Sequence, residues 1–214
     1  MHRNSRKYMP TYMLITANVC VFAFTSILSG NFVDIDQSAQ GQAILLNFGQ
    51  INYLVLNGQI WRLFTAMFIH VGIVHIVGNM LFLLIFGLRA EDMFDVKEYL
   101  LIYFISGLAG NLLTLLWPDP LLLSVGASGA IFGVIGATII YLRRSVGQSI
   151  ITALIFAFVL FLINSIGPGV NPLAHLGGLA SGLLIGYVLA AFRRPKSPAL
   201  HEYKYPDSWG KAGY

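Results

Sequence analysis

The sequence predicts an all-α membrane protein: a six-transmembrane-helix bundle with a long interfacial loop between helices 1 and 2. Three observations carry this expectation. Hydrophobic residues make up 57% of the 214 and charged ones only 10%, at a mean hydropathy of +0.73, whereas a soluble domain carries about a quarter charged residues. The apolar residues gather into runs over about 10–29, 69–88, 98–116, 126–142, 149–166 and 173–192, each near the roughly 17–25 residues a bilayer-crossing helix needs. The basic residues gather between those runs, as a fixed orientation in the membrane requires.

The first run follows "MHRNSRK", a basic start like that of a secretory signal. The run is longer than a usual signal core and lacks an A-x-A-like ending, so an uncleaved first helix is expected. Residues 1–9 then form a cytoplasmic N-terminus and 10–192 the helical domain. Between the first two runs lies the segment "NFVDIDQSAQGQAILLNFGQINYLVLNGQIWRLFTAMFI", polar at its start and apolar later. Its Trp and Tyr suit the outer interface. The remaining loops are short, so the helices must form one compact bundle. From Arg193 the chain is polar, proline-containing and aperiodic, which reads as a disordered cytoplasmic tail over 193–214.

With the N-terminus inside, Arg3, Arg6, Lys7, Arg89, Lys97, Arg143, Arg144, Arg193, Arg194, Lys196, Lys204 and Lys211 are cytoplasmic and only Arg62 is outside. Twelve of the thirteen basic residues obey the positive-inside bias. Topology thus accounts for the net charge of +4, and no nucleic-acid partner is expected, because no polar face concentrates the charge. The lone cysteine, Cys20, excludes an intrachain disulfide. No internal repeat suggests a transporter built from two halves.

Every Asp and Glu falls outside these spans or at their ends, which argues against a proton or ion relay built on buried carboxylates. The polar groups left inside are His75 and Asn79 in the second span, Ser128 in the fourth, Asn164 in the fifth and His175 in the sixth. Counting back from the flanking arginines at about 1.5 Å per residue puts Ser128, His75 and His175 roughly 22, 21 and 27 Å above the inner boundary. All three therefore lie a little below the outer surface of a core about 30 Å thick. His75 and Asn79, four apart, share a helix face, whereas His70 is off it, and no glutamate supports an H-E-x-x-H metal site. Taken singly, Ser128 fits a packing residue as well as a nucleophile, His175 a hydrogen-bonded structural histidine, and Asn79 interhelical glue. Asn164 has no evident partner and reads as structural. On these grounds alone the residues amount to a polar cluster near the outer face.

Four stretches, in this order, resemble the rhomboid family of intramembrane serine proteases: "GQIWRLFTAMFIHVGIVHIVGNM" from Gly58, "GLRAE" from Gly87, "GASGAIFG" from Gly126 and "AHLGGLASG" from Ala174. The likeness covers about residues 45–185. It implies a rhomboid bundle in which Ser128 is the nucleophile and His175 its general base, a dyad without an acid, the imidazole held by packing and backbone hydrogen bonds. His75 and Asn79, with the backbone N–H at Ser128 near a helix N-terminus, would stabilise the oxyanion. Gly126 would let backbone approach the substrate carbonyl with no Cβ in the way, and Phe132, four after Ser128, matches the aromatic position that packs on the histidine. Gly129 and Gly133, with Gly178 and Gly182, would let the fourth and sixth helices pack closely. Glu91 matches a structural acid that bonds loop backbone, and Trp61 and Arg62 an interfacial anchor that stabilises the first loop.

The resemblance also implies substrates that are themselves membrane proteins, cleaved near the outer end of a transmembrane segment where the helix unwinds, and neither metal nor organic cofactor. Hydrolysis inside a bilayer demands a water-filled cavity, here opening to the extracytoplasmic side. The compact form and lack of a transit-like leader point to a plasma (inner) membrane. Oligomeric state and physiological substrate are not legible. Two rivals remain: a catalytically silent rhomboid-like scaffold, and a small transporter using the polar cluster as a permeation site.

Overall fold

The computed structural model describes residues 9–145, 149–165 and 170–192. The cytoplasmic segment expected over 1–9, apart from Met9, and the tail expected over 193–214 lie outside the described residues. The chain opens with α1 (Met9–Ser29), whose buried stripe runs through Leu14, Asn18, Phe22 and Thr25 at helical spacing. A 3-10 turn (Ile35–Gln37), α2 (Ala39–Phe48), the strand β1 (Gln50–Ile51), α3 (Asn52–Leu56) and α4 (Arg62–Thr65) follow. Then come α5 (Ile73–Met93), α6 (Val96–Thr114), β2 (Leu123–Ser124), α7 (Ser128–Ser145), α8 (Ile150–Ser165) and α9 (Pro172–Phe192).

Helices α1, α5, α6 and α9 are long and apolar enough to cross a bilayer. Their outward faces are greasy, with Phe24 63% and Leu184 65% exposed, a pattern that suits lipid rather than water as the surrounding solvent. The protein is a mostly helical, multi-pass membrane protein. Of the two other long helices, α7 carries Arg143 and Arg144 in its last turn, and α8 is largely apolar but only 16 residues long.

Helix α7 is the axis of the bundle. Every residue from Gly129 to Tyr141 is buried, because α5, α6, α8 and α9 all pack against it. Glycines permit this crowding: a Cβ on Gly178 would run into the carbonyl of Gly129, one on Gly182 into that of Gly133, and one on Gly110 into that of Ala174. The backbones of α6, α7 and α9 are therefore in direct contact, with no side chain between them.

Helix boundaries depart from the apolar runs for identifiable reasons. Helix α5 starts at Ile73 rather than near 69, because residues before it are extended and paired with the chain after α1: Ile35 N donates to Val71 O at 2.7 Å and Ile73 N to Val33 O at 3.1 Å. It continues to Met93, and α6 begins with a capping box in which Asp95 accepts from Glu98 N at 3.0 Å and Asp95 N donates to the Glu98 carboxylate at 2.9 Å. Helix α7 starts two residues after 126, since Gly126 has φ +118°, outside the helical region. The all-α expectation also missed the antiparallel pairing of Gln50 with Ser124 and Ile51 with Leu123.

Polar staples hold the ends together. Arg62, only 4% exposed, donates from Nη1 to the carbonyls of Leu46 and Gly49 at 2.8 and 2.7 Å and from Nε to Gln59 Oε1 at 2.6 Å. Burial pulls its guanidinium below the ordinary pKa, and three acceptors offset that desolvation. Trp61 beside it stays exposed. Gln50 Nε2 donates to Asn111 O at 2.9 Å and Asn52 Nδ2 to Thr114 O at 2.8 Å, so β1 and α3 are tied to the end of α6. At the opposite end, Glu91 Oε1 accepts from Thr11 N at 2.8 Å. Its partner is thus the first turn of α1, where N–H groups lack intrahelical acceptors, rather than loop backbone.

Candidate functional site

Two helix starts meet at the site. Ser128 opens α7 just after the left-handed Gly126, and His175 lies in the first turn of α9. Asn171 sets that second start. Its Oδ1 accepts from Leu173 N and Ala174 N, each at 3.1 Å, while Nδ2 donates to Thr114 Oγ1 and Ser124 Oγ, each at 2.9 Å. One side chain thereby caps α9 and locks it to α6 and β2. Sequence reasoning passed over Asn171, although an Asn followed by Pro at the first helical position is a start signal.

The geometry that results is tight. His175 Nε2 lies 2.8 Å from Ser128 Oγ, and its other nitrogen, Nδ1, lies 2.9 Å from Ser165 Oγ at the end of α8. The expected backbone bond to the ring is replaced by this hydroxyl, a residue the sequence did not single out. Phe132 stacks on the imidazole at 4.5 Å between centroids and 26° between planes, and His175 is only 6% exposed. No carboxylate bonds to the ring among the described residues. If Ser128 is to donate to Nε2, the proton of the neutral ring must sit on Nδ1.

His75 and Asn79 approach from α5. A Cβ placed on Gly126 would stand 2.8 Å from His75 Nε2 and 4.0 Å from Ser128 Oγ, so the bare glycine is what lets the imidazole sit beside the serine. Asn79 Nδ2 donates to His75 O at 2.9 Å, while its Oδ1 has no partner among the described residues. The amide nitrogen carries a second hydrogen, which leaves it one donor to offer. His70 packs edge-on against the His75 ring at 5.1 Å, with Nδ1 3.3 Å from Phe68 O, and does not line the cavity that His75 faces. Asn164, for which the sequence offered no partner, donates to Leu160 O at 2.8 Å.

A cavity of about 1010 Å³ joins these groups: His75, Asn79, Gly126, Ser128, Phe132 and His175 all line it. Asp34 and Asp36, from the segment after α1, line it as well. Burial, with the neighbouring Asp36 carboxylate, raises Asp34 above the ordinary carboxylate range. The arrangement holds a hydroxyl, a base within hydrogen-bond reach and further donors around one space, which are the parts acyl transfer needs.

A family model described as the rhomboid domain matches residues 57–192. The chain belongs to the rhomboid family. Among named rhomboids it is 38% identical to RHOMBOID-like protein 6, mitochondrial, of Arabidopsis thaliana over 162 residues, 73% of this chain and 52% of that protein. It is also 38% identical over 146 residues to RHOMBOID-like protein 1 of the same plant, covering 64% of this chain and 36% of the relative. Rhomboid-like protease 3 of Toxoplasma gondii is 37% identical over 136 residues, 60% of this chain and 51% of that protein. The match thus spans between about a third and a half of these rhomboid relatives. The matched region contains every residue named around the cavity except those of the segment after α1.

Proposed function

We propose that this rhomboid is an intramembrane serine endopeptidase that hydrolyses peptide bonds in or near transmembrane segments of membrane-protein substrates. The observation that carries the reading is the 2.8 Å contact between Ser128 Oγ and His175 Nε2 on the wall of a shared cavity. In this mechanism His175 removes the hydroxyl proton as Ser128 attacks the scissile carbonyl. The developing oxyanion is met by the backbone N–H of Ser128, the His75 ring and the free hydrogen of the Asn79 amide. His175 then protonates the leaving amine, and water admitted through the cavity hydrolyses the acyl-enzyme. Gly126 and Phe132 form the substrate side, the first by leaving room and the second by stacking on the base. Every step uses side chains, backbone N–H groups and water.

The protease domain in this reading is 10–192, crossing a plasma (inner) membrane six times, with α7 and α8 joining the four long apolar helices as spans. Both flanks, 1–9 and 193–214, are cytoplasmic, and the active site opens to the extracytoplasmic side. The positive-inside distribution of lysine and arginine supports this orientation. Substrates present an unwound outer helix end, because a regular helix ties up its carbonyls in its own hydrogen bonds.

A fluorophosphonate probe tests the reading without knowledge of the substrate. Wild-type protein in detergent is expected to label, and Ser128→Ala and His175→Ala to lose labelling by about 10³-fold or more while keeping their thermal unfolding midpoints. A folded wild type that labels no faster than Ser128→Ala would instead favour a catalytically silent scaffold.

A further inference from the structure

Resting on the proteolytic reading, the geometry points to Ser165 as the positioning residue of the base, a neutral third member behind Ser128 and His175. The imidazole sits between two serine hydroxyls, Ser128 Oγ at 2.8 Å from Nε2 and Ser165 Oγ at 2.9 Å from Nδ1. Only Ser128 lines the cavity, and only Ser128 opens a helix. The two hydroxyls therefore have different jobs. Ser128 faces the substrate space, and Ser165 stands behind the ring.

That second place has a chemical requirement. Nε2 accepts a proton from Ser128 only if the neutral ring is protonated on Nδ1, and an Nδ1–H in this apolar setting needs an acceptor. Among the described residues Ser165 Oγ is that acceptor. It selects the productive tautomer, fixes the ring's rotation about Cβ–Cγ together with Phe132, and keeps an oxygen dipole on Nδ1–H when the ring takes up a second proton during attack. A carboxylate in the same place would interact more strongly with the imidazolium but would carry a heavy desolvation cost in the bilayer. A hydroxyl supplies the hydrogen bond without that penalty.

The surroundings of Ser165 fit this role better than simple helix packing. Apart from Thr152, Asn164 and Ser165, helix α8 is apolar, and it turns Ile151, Ile155, Phe158 and Ile163 outward. Its neighbouring polar residue, Asn164, donates one amide hydrogen to Leu160 O of the same helix. Ser165 hydrogen-bonds from α8 to His175 on α9. A side-chain bond from the end of a lipid-facing helix to the ring makes the base sensitive to where α8 stands.

The inactivation kinetics of purified protein with a fluorophosphonate separate this role from a structural one. Ser165→Ala is expected to lower the maximal inactivation rate by about 10- to 100-fold, the range of a lost hydrogen bond to a charged group. That is well short of the roughly 10⁴-fold effect of an aspartate behind a protease histidine. The half-saturating probe concentration and the thermal midpoint should stay near wild type, and Ser165→Thr, which keeps the hydroxyl, should recover most of the rate. In ¹⁵N-histidine-labelled protein the His175 ring should appear as the Nδ1–H tautomer in wild type and lose that preference in Ser165→Ala. A rate within twofold of wild type for Ser165→Ala overturns the assignment while leaving the protease reading intact. So does a loss of rate that tracks a fallen thermal midpoint and is not rescued by Thr. A wild type that reacts no faster than Ser128→Ala overturns the protease reading, and the assignment with it.

Discussion

Gly126 concentrates several constraints in one residue. Its φ of +118° lies where an L side chain is strained, and a Cβ there would press on His75 Nε2 at 2.8 Å. Alanine at this position therefore incurs backbone strain of about 1–3 kcal/mol and displaces a proposed oxyanion donor. Gly126→Ala is expected to slow probe labelling by more than 10-fold while the protein still folds, a loss larger than its fall in thermal stability explains. Arg62 predicts the reverse balance. Removing its fork in Arg62→Leu abandons the carbonyls of Leu46 and Gly49, which costs about 3 kcal/mol. Arg62→Lys should recover less than half, since a lysine cannot reproduce the planar geometry. Thermal unfolding of the two variants against wild type checks the ranking, and equal midpoints for all three would show that the loop is held by other contacts.

Among elements, the contact of α7 with α9 positions the site, and its glycines carry the strongest stability prediction. A valine at Gly178 meets the backbone carbonyl of Gly129, which cannot swing away as a side chain would. Gly178→Val should force the helices apart, lowering the thermal midpoint by several degrees and abolishing labelling although neither Ser128 nor His175 is touched. Gly78 on α5 has nothing within 4 Å of a built Cβ, so Gly78→Ala should leave the midpoint unchanged or slightly raised. The close packing was legible in the sequence, because small residues four apart in an apolar run have few other uses. That Ser128, His75 and His175 could meet in one layer was legible too, from their counts back to the flanking arginines, and all three line the same cavity. The pairing of β1 with β2 was not, because two-residue strands carry no periodicity to read. Ser165 was hidden for a related reason: it stands ten residues before His175 on another helix, and their approach depends on how α8 and α9 lie against each other. The role of Asn171 was hidden likewise, since its amide bridges Thr114 and Ser124 from two other elements, 57 and 47 residues away in the chain.

For the whole molecule, orientation in the bilayer decides where substrate and water enter. Charge asymmetry predicts that Arg62 and the α3–α4 segment face outward and that both flanks face inward. The chain suits a direct test because Cys20 is its one cysteine and sits on an exposed face of α1. Changing Cys20 to Ser removes the background thiol, and one new cysteine can then be placed at Gln59, at Arg3 or at Lys211. In intact cells a membrane-impermeant maleimide should label the cysteine at 59 and neither of the others. After permeabilisation all three should label. Because an even number of spans returns the chain to its starting side, equal behaviour at 3 and 211 means an even number of crossings, as six requires, whereas opposite behaviour means that one of the two, the apolar but short α8 or α7 with the two arginines of its last turn, fails to cross. The site lies near the starts of α7 and α9 and beside the segment that holds Arg62. Labelling at 59 from outside would therefore also mean that the cavity opens away from the cytoplasm, and labelling only after permeabilisation would turn the proposed substrate end around.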